Sequence, residues 1–436
     1  MRVSVVGLGK LGSPLAAALA SKGLEVVGVD LNPAYVQSLQ AGKAPVEEPR
    51  LQELIDAGRA RLRATTDMAE AVRASELSII IVPTPTGADG AFSNRYVLAA
   101  VQEIGKALRD KRDYHVVSVT STVMPGSTGG EIAAALEASS GRRVGADVGL
   151  CYNPEFVALG SVVRDLLEPD MILIGQSDAR AGELMERLYR ELCENRPPVA
   201  RMNLVNAEIT KIALNTYVTT KITYANMLSG ICERLPGGDV DVVTRTLGLD
   251  SRIGRKYLQG GIGYGGPCFP RDNIAFALLA KRAGARADIA EATDRLNRHQ
   301  IDRLFAAATA RLPAGGAVGV LGLSYKPDTA VIDESQGVAL VKRLAEAGYR
   351  VTAYDPQALP NVRAALGECF AAAESAEACV RGVDRVVVTT AWPEFRTLPA
   401  SAFARSNTRI EVVDCWRILE ADRIGASCTL VYPGKA

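Results

Sequence analysis

The chain has 436 residues, 48% hydrophobic and 23% charged, the composition of a globular protein with material for two or three domains. Fifty Lys and Arg against 49 Asp and Glu leave a formal charge of +1, so no global basic excess exists to hold a polyanion, sequence-independent nucleic-acid binding is not expected, and no nucleic-acid partner is expected. No apolar run reaches the ~18 residues of a membrane span, and MRVSVVGLG enters a strand pattern at once, leaving no room for a secretory or transit segment. The two histidines, His115 and His299, have no cluster of ligands around them in sequence. The eight cysteines form no C-x-x-C pair, so no metal site is expected. The cysteines read as reduced thiols of a cytoplasmic protein, mostly small buried hydrophobes.

RVSVVGLGKLGSPLAAALASKG reads as strand, tight turn and helix. After Val3, Val5 and Val6 come Gly7, Gly9 and Gly12 in G-x-G-x-x-G spacing, with Lys10 and Leu11 inside the turn. The first glycine permits the turn, the second lets a pyrophosphate approach the backbone, and the third lets helix and strand pack closely. The helix start then offers unpaired N–H groups and a positive dipole end to the phosphates. A second strand, LEVVGVD, ends in Asp30, 18 residues after Gly12, where a carboxylate binds the ribose 2′-hydroxyl and repels a 2′-phosphate. The pattern predicts a Rossmann domain binding NAD; a glycine turn in a nucleotide-free α/β fold is the bland alternative. Further strands are expected at 77–82, 116–120 and 148–153. Their terminal loops put Thr84, Thr122 and Glu155 where a cofactor or substrate would sit.

Residues 204–234 read as one helix of about 30 residues, with apolar residues at Ile209, Ile212, Ala213 and Tyr217 and only a late glycine. Lys211 and Asn215 lie four apart and share a face, for which a solvated surface is the plain alternative. Helical stretches follow at 239–248 and 272–310. Between them YLQGGIGYGGPCFPRDN forms a glycine-rich loop with Cys268 at its apex, running into a helix at about Asp272. A cysteine near a helix N-terminus, with Arg271 close by, has features that favour thiolate. From 317 a strand and loop, a helix at SQGVALVKRLAEAG and a strand YRVTAYDP echo the beginning. Gly348 and Asp355 repeat the seven-residue interval of Gly23 and Asp30. VDRVVVTTAWPEF adds another strand and loop. This second Rossmann-like unit lacks the glycine triplet, so a second dinucleotide is not expected there.

Taken in order, GLGKLG, VPTPTG, STVMPG, NPEF, the Lys211–Asn215 helix, GYGGPCFPRD, LGLSYKPDT and AWPEF resemble the UDP-glucose/GDP-mannose dehydrogenase family over essentially the whole chain. The resemblance implies an α/β protein of three parts: an N-terminal NAD-binding Rossmann domain (1–203), a central all-helical connector with a long helix (204–312), and a C-terminal nucleotide-sugar-binding Rossmann-like domain (313–436). It implies a four-electron oxidation of a nucleotide sugar's C6 hydroxymethyl to a carboxylate, using NAD twice. Cys268 would add to the aldehyde, Lys211 would stabilise the oxyanion and Asn215 would help position it. Asp272 would hold a water with the lysine for proton removal, and Glu155 would activate or position the water that hydrolyses the thioester. Thr122 joins the catalytic set. The same resemblance puts Gly7, Gly9, Lys10, Leu11, Gly12, Asp30, Thr84, Thr122 and Arg271 on the cofactor. It puts Glu155, Lys211, Asn215, Arg252 (from the neighbouring subunit), Tyr257, Gly263 and Lys326 on the substrate, and it implies a homodimer through the long helix.

The chain departs from the family pattern in places. Asp333 and Trp416 stand where arginines are usual, Leu159 where many UDP-glucose enzymes carry a glutamate, and Pro267 where serine usually precedes the cysteine. The DSRIG segment points to UDP-glucose as substrate, with GDP-mannose or another nucleotide hexose as alternatives. Two other classes stay open: a two-electron β-hydroxyacid-type dehydrogenase, and a non-catalytic NAD- or nucleotide-sugar-binding protein.

Overall fold

A computed structural model describes residues 1–405 and 409–436, which form two compact units, Met1–Ala213 and Leu214–Ala436. The first is built on strands β1 (Arg2–Val6), β2 (Glu25–Val29), β3 (Leu62–Thr65), β4 (Leu77–Ile80), β5 (Val116–Val119), β6 (Gly149–Tyr152), β7 (Ile172–Gln176) and β8 (Val199–Met202). They lie in the order β3-β2-β1-β4-β5-β6-β7-β8. β1 pairs with β2 from Arg2↔Glu25 to Val6↔Val29 and with β4 from Val3↔Leu77 to Val6↔Ile80, all parallel. Between β1 and β4 the strand order reverses, which is where an open α/β sheet binds its ligand. β6 and β7 meet antiparallel and β7 and β8 parallel, which extends the sheet beyond the strands expected from sequence. Buried valines, leucines and isoleucines on the two faces pack against helices on both sides, as a central parallel sheet requires.

The second unit carries β9 (Ala317–Leu321), β10 (Arg350–Tyr354), β11 (Ala371–Ala372), β12 (Arg385–Val388), β13 (Ile410–Asp414) and β14 (Cys428–Val431), in the order β11-β10-β9-β12-β13-β14. Every pairing is parallel and the order repeats that of β3 to β6, so the expected echo is topological as well as sequential. Two apolar clusters cover its faces.

The long helix spans Leu204–Cys232 and crosses the boundary between the units. The single stretch expected at 272–310 is two helices, Phe269–Arg282 and Asp288–Thr309, broken where Gly284 takes φ +69°. The helix after the cysteine loop thus begins at Phe269, three residues earlier than expected. Among the described residues, no helix is long and apolar enough to cross a membrane.

A polar chain runs through the core of the first unit. Lys111 Nζ lies 3.1 Å from His115 Nδ1, His115 Nε2 lies 2.8 Å from Ser78 Oγ, and Ser78 Oγ lies 2.7 Å from Ser4 Oγ. Burial, and then the Lys111 charge, push the imidazole pKa down to about 3. The unfolded chain takes up this proton near pH 6.5 and the folded chain only near 3. Stability supplied by the neutral ring is therefore present above 6.5 and lost as pH falls between those values, by up to about 1.4 kcal/mol per unit. His115→Gln is expected to flatten the fall of Tm between pH 6.5 and 4; a slope equal to that of the native protein rejects this account.

Candidate active site

In the first unit the glycine turn has the shape that a pyrophosphate needs. Gly7 takes φ +99°, and a Cβ at Gly12 would stand 1.7 Å from Gly7 O, so neither position tolerates a side chain. A Cβ at Gly9 would meet nothing within 4 Å. That glycine faces open space, where a ligand's phosphates can come close to the backbone. The helix Gly12–Ser21 starts there, with Leu11 as its N-cap and Lys10 exposed. Asp30, at the end of β2, accepts from Leu8 N at 2.6 Å and Asn32 N at 2.7 Å, and keeps acceptor capacity for ribose hydroxyls. The residues fit NAD. Asp355 is the counterpart in the second unit. It accepts from Leu323 N, Ser324 N, Ser324 Oγ, Trp392 Nε1, Gln357 N and Ala358 N and is 2% exposed, so its carboxylate is consumed by its own chain.

The ends of β4 and β5 are tied together. Ser121 Oγ accepts from Val82 N at 2.9 Å and donates to Val82 O at 2.6 Å, and Thr84 Oγ1 donates to Thr122 O at 2.7 Å. This joins Thr84, three residues after Ile81, to Thr122, and Ile81 O would lie 2.5 Å from a Cβ on Gly7. Past β6, Glu155 Oε1 lies 2.7 Å from Tyr189 Oη, and Lys211 Nζ donates to Glu155 O at 2.6 Å while standing 4.5 Å over the Phe156 ring. Burial raises the Glu155 pKa, opposed by the Tyr189 hydrogen bond and the Lys211 charge. Lys211 is 8% exposed, so the solvated-face alternative does not describe it.

In the second unit Asn215, also 8% exposed, donates Nδ2 to Asp272 Oδ2 at 2.6 Å. Arg271 Nε lies 3.5 Å from Asp272 Oδ1. Cys268 is exposed and forms the N-cap of Phe269–Arg282 rather than the apex of a loop; its carbonyl accepts from Asp272 N at 2.8 Å. The glycines before it are required by close approach. A Cβ on Gly265 would stand 2.3 Å from Glu334 O, and one on Gly266, at φ +87°, would stand 2.6 Å from the Tyr325 ring. Gly266 N donates to Asp333 O at 2.8 Å. Asp333 thus holds this loop through its main chain, and its side chain is exposed. Six of the other seven cysteines are buried, and Cys369 is exposed.

The remaining predicted residues are less closely joined. Arg252 is exposed and pairs with Asp250 at 2.6 Å. Tyr257, with φ +63°, stacks edge-on against Phe269 at 6.4 Å. Gly263 is a close-packing glycine under Asn297 and Gln336, and Lys326 Nζ stands 5.9 Å from the Tyr325 ring centre. Pro267 is exposed and Leu159 half-buried. Trp416 packs beside Gly261 and donates Nε1 to Thr389 O at 2.9 Å. Arg417 is committed to Asp241 at 2.5 Å, Gly260 O at 3.1 Å and Pro433 O.

Sequence reasoning missed Tyr189, Asn153 and Glu208. Glu208 accepts from Gly126 N at 2.6 Å and Thr128 N at 2.7 Å and so holds the STVMPGST turn. Its signal was its place three residues before Lys211. Asn153 stood in the quoted NPEF motif, whereas Tyr189 looks like any core position of an amphipathic helix.

Three profiles of one family match the chain in order: the NAD binding domain of the UDP-glucose/GDP-mannose dehydrogenase family over residues 1–193, its central domain over 205–299 and its UDP binding domain over 319–421. The chain belongs to this family. It is 37% identical over 424 residues to a UDP-glucose 6-dehydrogenase of Haloferax volcanii, covering 96% of this chain and 97% of the relative. It is 36% identical over 360 residues to a GDP-mannose 6-dehydrogenase of Pseudomonas putida, covering 81% of each. A solved UDP-glucose dehydrogenase from Pyrobaculum islandicum superposes with a TM-score of 0.89 at 35% identity, covering 100% of this chain and 98% of that one. The chain is therefore an NAD-dependent nucleotide-sugar dehydrogenase of three family segments.

Removing the Asp30 carboxylate takes a charged acceptor from the ribose. Asp30→Ala is expected to weaken NAD at least about tenfold by calorimetric titration. An unchanged Kd rejects the ribose assignment.

Proposed function

We propose that this enzyme oxidises UDP-glucose to UDP-glucuronate in a four-electron reaction through a covalent bond to Cys268. The observation that carries this reading is the exposed Cys268 at the start of a helix, presented by a loop whose glycines fit against residues 325–334. The choice of sugar is supported by the Haloferax relative, named a UDP-glucose 6-dehydrogenase, which aligns over 97% of its length where the GDP-mannose relative aligns over 81%. The division at 1–203, 204–312 and 313–436 is supported by the profile ranges.

NAD, when bound, accepts the two hydrides. The C6 hydroxyl first loses a proton toward a water held by Asp272 and Lys211, as the alcohol becomes an aldehyde. The Cys268 sulfur then adds to the aldehyde carbon, giving a thiohemiacetal whose oxyanion Lys211 and Asn215 stabilise. Loss of the second hydride leaves a thioester. Water positioned by Glu155 attacks it, the C–S bond breaks, and the carboxylate leaves while the thiol is restored. One sugar, two NAD and one water give one uronate, two NADH and three protons. Thr122 and Thr84 border the nicotinamide side, Gly7, Gly9, Lys10, Leu11, Gly12, Asp30 and Arg271 hold the cofactor, and Arg252, Tyr257, Gly263 and Lys326 hold the nucleotide sugar. A two-electron dehydrogenase of the β-hydroxyacid type has no use for this cysteine.

We also propose a homodimer through the long helix. Val205, Ile209, Tyr217, Tyr224, Met227 and Ile231 are exposed and fall on one side of it at 3.6 residues per turn. A cytoplasmic location is supported by eight free thiols, and uronate production suits a role in polysaccharide biosynthesis.

Cys268→Ser is expected to lower carboxylate formation at least about a thousandfold while nucleotide-sugar binding persists. A panel of UDP- and GDP-hexoses is expected to yield two NADH per UDP-glucose consumed. One NADH per sugar, or full uronate production by the serine variant, rejects the covalent route. Tyr224→Asp with Ile231→Asp is expected to halve the mass by sedimentation, and an unchanged mass rejects this helix as the interface.

A further inference from the structure

The hydroxyl of Tyr189 stands between two acceptors. Asn153 has a fixed orientation because its Nδ2 donates to Leu173 O at 2.9 Å, so the atom facing Tyr189 Oη, at 2.5 Å, is the carbonyl Oδ1. On the other side Glu155 Oε1 lies 2.7 Å from the same Oη. A phenol has one proton, and an amide oxygen has none to give. Both short contacts are hydrogen bonds only when Glu155 supplies a proton itself.

We infer that Tyr189 is a positioning residue that sets the proton occupancy of Glu155, with Asn153 as the competing acceptor. While Glu155 is protonated, it donates to Tyr189 and Tyr189 donates to Asn153. When Glu155 gives up its proton, the phenol turns its own proton from Asn153 to the carboxylate, and no proton leaves Tyr189. The inference deepens the proposed role of Glu155 in thioester hydrolysis and rests on it: a carboxyl that holds its proton cannot draw one from water, and the phenol lowers the cost of releasing it.

The surroundings fit this role. The charged and titratable groups facing Glu155 are Lys211 from the long helix, and Tyr189 and Cys193 from the helix Ala179–Leu192 and its end. Burial, then the Glu155 charge, hold the Tyr189 phenol far above its ordinary range, so it remains a donor. Burial and the same charge push the Cys193 thiol up to about 12, so it carries no charge near neutrality. Lys211 is hydrogen-bonded to the main-chain O of Glu155 and acts on the carboxyl through space.

The test is the acid limb of kcat with UDP-glucose and NAD, together with infrared titration of the protonated carboxyl band that is absent in Glu155→Gln. Tyr189→Phe removes the donor to the carboxylate and is expected to raise the midpoint by about one pH unit. Asn153→Leu removes the competitor and is expected to lower it by a similar amount. A merely structural role moves both variants the same way or neither. A midpoint that is unchanged or lowered in Tyr189→Phe overturns the inference, and this variant decides even where Asn153→Leu fails to fold. If Glu155→Gln keeps the acid limb, the hydrolytic role of Glu155 fails, and the infrared midpoints still report separately on Tyr189.

Discussion

The proposed covalent half of the chemistry depends on a contact between two backbones. The N–H of Gly266 donates to the carbonyl of Asp333, and neither Gly265 nor Gly266 has room for a Cβ against Glu334 O and the Tyr325 ring. A side chain at either position forces the cysteine loop off its support and moves the start of the helix that Cys268 caps. The loop's position is thus fixed by missing atoms, which is why a chain rich in other side chains spends so many glycines between 260 and 266.

The support is itself a modified version of the first unit's turn. Gly7 and Gly322 both take φ near +100° at the ends of β1 and β9, and each donates its N–H to the end of the next strand, at Val29 O and Tyr354 O, both at 2.8 Å. The helix glycines Gly12 and Gly337 press on Gly7 O and Gly322 O in the same way. In the first unit the pair lies five positions apart, and the turn is open at Gly9. In the second the pair lies fifteen positions apart, and the added residues carry Tyr325, Asp333 and Glu334 to the cysteine loop. The paired carboxylates follow suit. Asp30 keeps free acceptor capacity, whereas Asp355 spends its own on the lengthened turn, on Trp392 and on Gln357 N and Ala358 N.

These facts separate what the sequence makes legible from what it does not. The first turn was readable because its glycine spacing is contiguous and its acid follows at a fixed distance. The second was readable only as an echo of β10, since the insertion between Gly322 and Gly337 hides the same device. β8 escaped because it is a short, half-buried edge strand, and β7, buried between β6 and β8, because no motif flags its apolar run. Lys211, Asn215, Cys268 and Asp272 were proposed through the resemblance, and three of them make short contacts, Lys211 with Glu155 and Asn215 with Asp272. Tyr189 was not legible, because what distinguishes it from a core tyrosine is the geometry of two acceptors brought from another part of the chain.

The long helix shows why pattern alone misleads. Its apolar periodicity suggests an inward face at Ile209 and Tyr217, yet these are 38% and 65% exposed. Glu208, Lys211, Asn215, Thr219, Asn226 and Ser229 lie on the opposite side and are buried. Burying such groups is tolerable only with partners, and Glu208, Lys211 and Asn226 find theirs in the segments at 126–128, 155 and 261–262, Asn215 at Asp272 in the helix Phe269–Arg282. The buried side of the helix therefore carries these polar groups beside Ala207, Ile212 and Ala225, while its exposed side is apolar, unlike an ordinary surface helix. The inner face is accounted for by the chemistry proposed for it. The outer face, left in water, would be a standing cost, and the proposed second copy of the chain removes it, so the inverted pattern itself links the catalytic face of this helix to assembly.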